Sequence, residues 1–131
     1  MVFQAADPLA KDAGSEPEVA VYHALLQLGK RPDRDFVFQS KQFGGRVEKG
    51  GRVVDFQMIE PPDLAINVQG VYFHYEKGSA IIQSDIRTRA FLASSGVTLI
   101  FIDEDDALRD AKFYVREALA YKDHSRLGAG A

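Results

Sequence analysis

The first stretch with helical periodicity begins at Ser15, which Glu18 follows three positions later. A serine followed three positions later by a glutamate is the capping-box pattern that starts a helix. Apolar residues then recur at the i, i+4 and i+7 spacing of one helical face: Val21, Leu25 and Leu28. Gly29 is typical of a helix end. The pattern predicts an amphipathic helix that starts near residue 15 and ends before residue 29.

Extended patterns follow this helix. Runs of aromatic and β-branched residues, separated by glycines or prolines, predict three strands, near residues 36–39, 52–59 and 64–71. A continuous β-branched run over residues 97–102 predicts a fourth strand, buried on both faces. These four strands supply the expected sheet.

Helical spacing returns after the third strand. Residues 80–95 are predicted to form a helix, with four apolar residues near one face: Ile82, Ile86, Ala90 and Ala93. A last helix is predicted over residues 106–122. A strand, a helix and a further strand in sequence form a crossover, which places its two strands parallel. The expected fold is α/β, with an αβββαβ core, a mixed four-stranded sheet flanked by helices, and a C-terminal helix.

Length and composition fit one domain. At 131 residues, 46% hydrophobic and 27% charged, the chain suffices for one core and is too short for two. We expect a flexible lead-in over residues 1–14, a single domain over 15–122 and a flexible tail over 123–131. The absence of cysteine excludes disulfides and thiolate zinc sites. No apolar run has transmembrane length and no signal-peptide pattern is present, so we expect a cytoplasmic protein without membrane contact.

Basic residues concentrate around the predicted hairpin. Residues 30–52 contain seven Lys and Arg against three Asp and Glu, although the chain carries a formal net charge of −3. A basic segment on an acidic body can contact a phosphate backbone locally, and a solvated hairpin of mixed charge is the alternative. The candidate nucleic-acid contacts are Lys41, Arg46, Lys49 and Arg52, with Arg87 and Arg89 on the second helix.

Four polar residues between positions 53 and 74 are the candidates for chemistry. Asp55 lies in an apolar run, where a charged group is costly to bury unless it is paired or binds a metal. Asn67 and Gln69 share one face of the next strand and would lie beside Asp55 if the two strands pair. The ordinary pKa of His74 suits proton transfer near neutrality. The alternatives are solvent exposure for Asp55 and His74 and purely structural hydrogen bonds for the two amides.

The element order, with an acid on the second strand and two alternating amides on the third, resembles the PD-(D/E)xK superfamily of restriction endonuclease-like nucleases. The residues closest to its very-short-patch repair endonuclease-like branch are Gln69-Gly70-Val71-Tyr72-Phe73-His74. The resemblance spans residues 16–105 and implies a nuclease acting on DNA with Mg²⁺ or Mn²⁺.

Site roles follow from this resemblance. It implies that Asp55 and the Val68 carbonyl bind the metal and that His74 acts as general acid or base. Glu18 matches the acid that the family carries on its first helix, although its place in a capping box explains it equally well. Asn67 and Gln69 stand where the family normally has a carboxylate and a lysine. These two residues lack the negative charge that Mg²⁺ prefers and the ammonium that polarises water.

Two functions are consistent with these residues. The first is a metal-dependent endodeoxyribonuclease, in which Asp55 is a metal ligand and His74 or Gln69 positions the attacking water. The second is a catalytically silent nuclease-like fold that serves as a nucleic-acid-binding or assembly component, for example in a phage machine. DNA is the expected partner, and a homodimer or a larger protein assembly is compatible with either function.

Overall fold

The computed structural model of the chain describes residues 15–38, 47–49, 52–70 and 79–128. Its elements in chain order are α1 (Glu16–Gln27), β1 (Phe36–Phe38), β2 (Val47–Lys49), β3 (Arg52–Val54), β4 (Phe56–Met58), β5 (Leu64–Gln69), α2 (Ser79–Ser94), β6 (Thr98–Asp103) and α3 (Glu104–Leu119). The predicted α/β class, αβββαβ order and C-terminal helix are confirmed. Within these described ranges, no helix is both long enough and apolar enough to cross a membrane.

Helix α1 begins with the predicted capping box. The Ser15 Oγ accepts a hydrogen bond from the Glu18 amide at 3.3 Å, and the Glu18 Oε1 accepts one from the Ser15 amide at 3.0 Å. Both bonds satisfy amides that lack a partner within the helix. Val21 and Leu25 are fully buried against the sheet, so the amphipathic face is also confirmed.

The main sheet has four strands in the order β1-β4-β5-β6. β4 pairs antiparallel with β1 and with β5, and β5 pairs parallel with β6. The parallel pair is the predicted crossover, which runs through α2. In its register Leu64 pairs with Thr98 and Gln69 with Asp103, so the carboxyl ends of β5 and β6 meet at one edge of the sheet.

The predicted strand over residues 52–59 is interrupted at Asp55, which corrects the sequence prediction. β3 ends at Val54, β4 begins at Phe56, and Asp55 belongs to neither strand. β3 pairs with β2 in a separate two-stranded sheet, in which Lys49 is the register partner of Arg52. The residues on both sides of the break are buried, so the apolar pattern gives no sign of the interruption.

The larger part of the core lies between the main sheet and the helices α1 and α3. Phe38 and Phe56 of neighbouring strands stack, with ring centroids 4.6 Å apart. Tyr22 of α1 meets Phe36 edge-on, with ring centroids 5.7 Å apart. Stacked and edge-on contacts of this kind add specific geometry to the burial of apolar area.

A smaller core lies on the opposite face of the sheet, under α2. Its buried members are Val54, Ala65, Leu92, Val97, Leu99 and Phe101. Leu92 is fully buried, whereas Ile86 and Phe91 of the same helix are 40% and 37% exposed. The apolar face predicted around Ile86 is therefore not the face of α2 that packs on the sheet. We call this smaller core the α2-side core.

We predict that Leu92→Ala lowers the free energy of unfolding by about 2–5 kcal/mol, because it leaves a cavity in the α2-side core. Leu108→Ala is the matched control, since Leu108 of α3 is 51% exposed, and its effect is expected to stay within about 0.5 kcal/mol. Urea unfolding followed by circular dichroism measures both. Equal losses in the two variants would contradict the assigned packing of α2.

Candidate functional site

Asp55 is held at the strand break by two hydrogen bonds with β5. Its backbone amide donates to the Asn67 Oδ1 at 2.8 Å, and its Oδ2 accepts from the Val68 amide at 2.8 Å. Side chains thus take the places of strand-to-strand backbone bonds, which satisfies backbone groups that would otherwise be costly to bury. We refer to this pair of bonds as the Asp55–Asn67 clamp.

A second carboxylate reaches β5 one residue further along. Gln69, only 2% exposed, donates from its Nε2 to the Asp85 Oδ2 at 2.7 Å. Asp85 lies on α2, so the acid comes from the crossover helix rather than from a strand. Val68 and Gln69, which are consecutive, are therefore each hydrogen-bonded to a different aspartate: Val68 to Asp55 and Gln69 to Asp85.

Asp85 was not among the residues predicted for the site. It falls in the first half of the predicted crossover helix, and a helical residue can be placed against a strand only when the rotation of the helix is known. The apolar pattern gave the wrong rotation for α2, as Leu92 shows. The sequence places Asp85 in the predicted helix, but the apolar periodicity alone did not show which face of that helix meets the sheet.

A third group of acids lies at the carboxyl end of β6. Carboxylate oxygens of Asp103, Asp105 and Asp106 lie within 4.8 Å of one another, an arrangement that could hold a metal ion. Asp103 is 1% exposed and is the register partner of Gln69 in the parallel pair. Neighbouring strands lie about 4.8 Å apart, so this group adjoins the end of β5. The acidic run after the last predicted strand was its sequence signal.

Arg126 already neutralises part of this acidic group. Its guanidinium lies 2.9 Å from the Asp103 carboxylate and 3.1 Å from that of Asp105. The hydrogen bond from Arg126 lowers the pKa of the Asp105 carboxyl below its usual value, and the same contact raises the pKa of Arg126. Charge-assisted bonds of this kind occupy carboxylate oxygens of Asp103 and Asp105.

The remaining predicted catalytic residues have different surroundings. The Glu18 carboxylate takes part in the capping box of α1, and a catalytic role for it stays a prediction. The Asn67 Oδ1 accepts from the Asp55 backbone amide, and a catalytic role for Asn67 stays a prediction. His74 lies outside the described residues, so its predicted role remains a prediction.

The residues predicted to contact phosphate differ in whether the structure describes them and in which element carries them. Lys41 and Arg46 lie outside the described residues, while Lys49 and Arg52 are register partners at the end of the β2–β3 hairpin. On α2, Arg87 is exposed. Arg89 is half-buried, donates to the Leu127 carbonyl, and holds its guanidinium 5.6 Å above the centre of the Phe101 ring.

The oxygen donors near the end of β5 are of the chemical type that a hard divalent cation prefers. Mg²⁺ and Mn²⁺ prefer carboxylate, carbonyl and water oxygens. Asp55 and Asp85 supply carboxylates that are linked through consecutive residues of β5. The N–H and C=O of one strand residue leave the strand on the same side. The Val68 carbonyl is therefore directed toward the side on which Asp55 lies.

We predict that Asn67→Ala lowers the free energy of unfolding by about 1–3 kcal/mol, because the Asp55 amide loses its acceptor. Gln83→Ala, at an exposed position of α2, is the control and should change stability by no more than about 0.5 kcal/mol. Denaturant unfolding measures both, and the Asp55 amide resonance reports the lost bond directly. An Asn67→Ala variant as stable as the control would mean that the clamp contributes little to stability.

No protein-family model matches the sequence, and no curated protein matches it either. Among solved structures, the chain is similar to the catalytic domain of the homing endonuclease I-Bth0305I, with a TM-score of 0.57 and 21% sequence identity. The similarity covers 82% of this chain and 97% of that domain. At this identity the likeness concerns the fold alone. The chain thus has a nuclease-like fold, similar to that of a homing endonuclease catalytic domain.

Proposed function

We propose that this domain is a metal-dependent nuclease that hydrolyses phosphodiester bonds of DNA. The observation that carries the proposal is that two aspartates are hydrogen-bonded to consecutive residues of β5: Asp55 to the Val68 amide and Asp85 to the Gln69 side chain. The nuclease-like fold supports the same reaction class. This is the PD-(D/E)xK type of chemistry, with the second carboxylate supplied by α2 instead of the third strand.

In the proposed site, Asp55, the Val68 carbonyl and Asp85 would hold Mg²⁺ or Mn²⁺. When bound, the metal polarises a phosphate oxygen and lowers the pKa of a coordinated water. Asn67 fixes the Asp55 backbone through the clamp, so that the carboxylate keeps one orientation. Because Asn67 is engaged in this bond, we assign it to positioning Asp55 and not to binding the metal.

Gln69 and His74 have complementary roles in the proposal. Gln69 is buried and donates to Asp85, so it orients that carboxylate rather than activating water in the way a lysine would. Orienting partners of this kind raise metal affinity by about 10–100-fold. Proton transfer is then assigned to His74, whose side-chain type titrates near neutral pH.

DNA contacts are proposed for the basic residues of the β2–β3 hairpin region and the exposed surface of α2. They are Lys41, Arg46, Lys49, Arg52 and Arg87. Contacts from Lys and Arg to phosphates position a duplex and release counterions without reading its sequence. Such contacts would place the phosphodiester backbone near Asp55, which directly follows β3.

A second candidate function is a catalytically silent fold that binds nucleic acid or joins a larger assembly, as a homodimer or in a phage machine. The observation that favours it is the use of Asn67 and Gln69 for internal hydrogen bonds. Neither amide replaces the missing carboxylate or lysine of the third strand chemically. The experiment below separates this candidate from the nuclease.

We predict that the parent protein cleaves DNA in the presence of Mg²⁺ or Mn²⁺. Asp55→Asn and Asp85→Asn should each lower the cleavage rate by at least about 100-fold, above the range typical of residues that only orient ligands. Asparagine keeps an oxygen that can accept from the Val68 amide or the Gln69 side chain. Linear, nicked, branched and single-stranded substrates should be assayed side by side.

Asp33→Asn is the matched control for these variants. Asp33 is an exposed carboxylate with a positive φ of 67°, a conformation that asparagine also adopts readily. Mg²⁺ should raise the midpoint of thermal unfolding in the parent and in this control, but not in Asp55→Asn. Binding of DNA without cleavage or metal response in the parent would instead favour the silent fold.

We predict that Lys49→Ala/Arg52→Ala weakens DNA binding at low salt and reduces the slope of log affinity against log salt by up to about 2, which is about 0.9 per lost phosphate contact. Lys112→Ala/Arg116→Ala, which removes two exposed cations of α3, is the charge-matched control. Fluorescence anisotropy at several salt concentrations measures both slopes. Equal slopes in the two double variants would argue that the hairpin is only solvated.

A further inference from the structure

The residues after α3 return along the sheet and bond to it at three places. The Tyr121 hydroxyl donates to the Asp63 carboxylate at 2.5 Å, near the start of β5. Asp123 accepts from the Phe101 amide at 2.9 Å, and Arg126 pairs with Asp103 at 2.9 Å, both on β6. We call residues 121–128 the C-terminal strap.

The strap occupies the outer side of β6. Among the described strands β6 is last in the sheet order, so one of its sides has no described strand partner. Asp123 supplies an acceptor for the Phe101 amide, and the Arg126 amide donates to Asp103 Oδ2 at 3.0 Å. Side-chain and backbone groups of the strap therefore take the place that a fifth strand would occupy.

The strap also contacts the crossover helix. The Leu127 carbonyl accepts from the Arg89 guanidinium, and the Leu127 side chain packs against the α2-side core. Arg89 and Asp85 are four residues apart on α2, which places them on one face of the helix. The residue that bonds to the strap is thus one turn from the aspartate that bonds to Gln69.

Polar contacts attach α2 to β5 and to the strap. Among the described side chains of this helix, only Leu92, near its carboxyl end, is buried. Ile86 is 40% exposed and contributes little burial to the middle of the helix. The bonds Gln69–Asp85 and Arg89–Leu127 add polar attachments to α2 on the amino-terminal side of Leu92.

We propose that the C-terminal strap positions α2 against the sheet and thereby holds Asp85 at the metal site. Arg126 fixes the strap to β6 through Asp103, and Arg89 transmits its position to α2. Both arginines are positioning residues. The role of Asp85 in this inference rests on the proposed function, whereas the attachment of α2 to the strap does not.

The test uses Arg89→Met, which removes the bond to Leu127 and keeps an apolar stem over Phe101. Hydrogen exchange of the α2 amides around Asp85, and of the Gln69 side-chain amide, should become at least about 10-fold faster. The amides of Ile66 and Ile100 in the sheet should be unchanged. The Mg²⁺ concentration for half-maximal cleavage should rise about 10-fold, with kcat at saturating Mg²⁺ within about 3-fold of the parent.

Three further variants complete the design. Arg89→Lys keeps a donor toward Leu127 and should restore most of the exchange protection and metal response. Arg126→Met releases the strap at its other anchor and should reproduce the effect on α2, with faster exchange of the Phe101 amide as proof of release. Arg116→Ala, an exposed change on α3, should match the parent in every measurement.

The outcomes separate the two proposals. Unchanged exchange of α2 and of the Gln69 side chain in Arg89→Met, or in Arg126→Met once Phe101 exchanges faster, would overturn the positioning role. Altered exchange without any change in metal dependence would likewise overturn the link to Asp85. If the parent shows no metal-dependent cleavage, the proposed nuclease function fails, and the exchange measurements still decide whether the strap positions α2.

Discussion

Backbone hydrogen bonding at Asp55 governs the geometry of this fold. Where β3 gives way to β4, the sheet loses its regular ladder, and buried backbone groups need other partners at a cost of about 1–3 kcal/mol each if they find none. Asn67 and the Asp55 carboxylate provide them. The clamp lets the β2–β3 hairpin leave the main sheet while it fixes a carboxylate against β5. The same two hydrogen bonds thus fix where the hairpin departs from the main sheet and how the Asp55 carboxylate lies against β5.

Acidic side chains accumulate at the carboxyl ends of β5 and β6, because the parallel register brings those ends together. Each acid there has a defined partner: Asp85 has Gln69, and Asp103 has Arg126. Pairing of this kind offsets the cost of placing negative charges close to one another in a partly buried region. The partner of Asp103 is a guanidinium, whereas Asp85 accepts from a neutral side-chain amide.

The sequence was sufficient for the element order, the capping box at Ser15 and the parallel crossover, because each depends on local pattern or on short connections. It did not predict the strand break at Asp55, because the residues on both sides of the break are buried and continue the apolar pattern. It also misplaced the packed face of α2, since that helix buries Leu92 and exposes Ile86. The second carboxylate was missed for the same reason, because its position depends on helix rotation and on a bond to a residue sixteen positions away. The predicted roles of His74, Lys41 and Arg46 concern residues outside the described ranges.

The clamp also affects what residue conservation among related proteins can reveal about this domain. Hydrogen bonds at positions 55 and 67 contribute to folding whatever reaction the domain performs, because they satisfy backbone groups at the strand break. Retention of a hydrogen-bond acceptor at position 55 is therefore weak information about catalysis, since an asparagine would also accept from the Val68 amide. Exposed positions such as Arg87 carry no comparable folding constraint. Substitution patterns there would record selection on surface contacts more faithfully than substitutions at the half-buried Asp55.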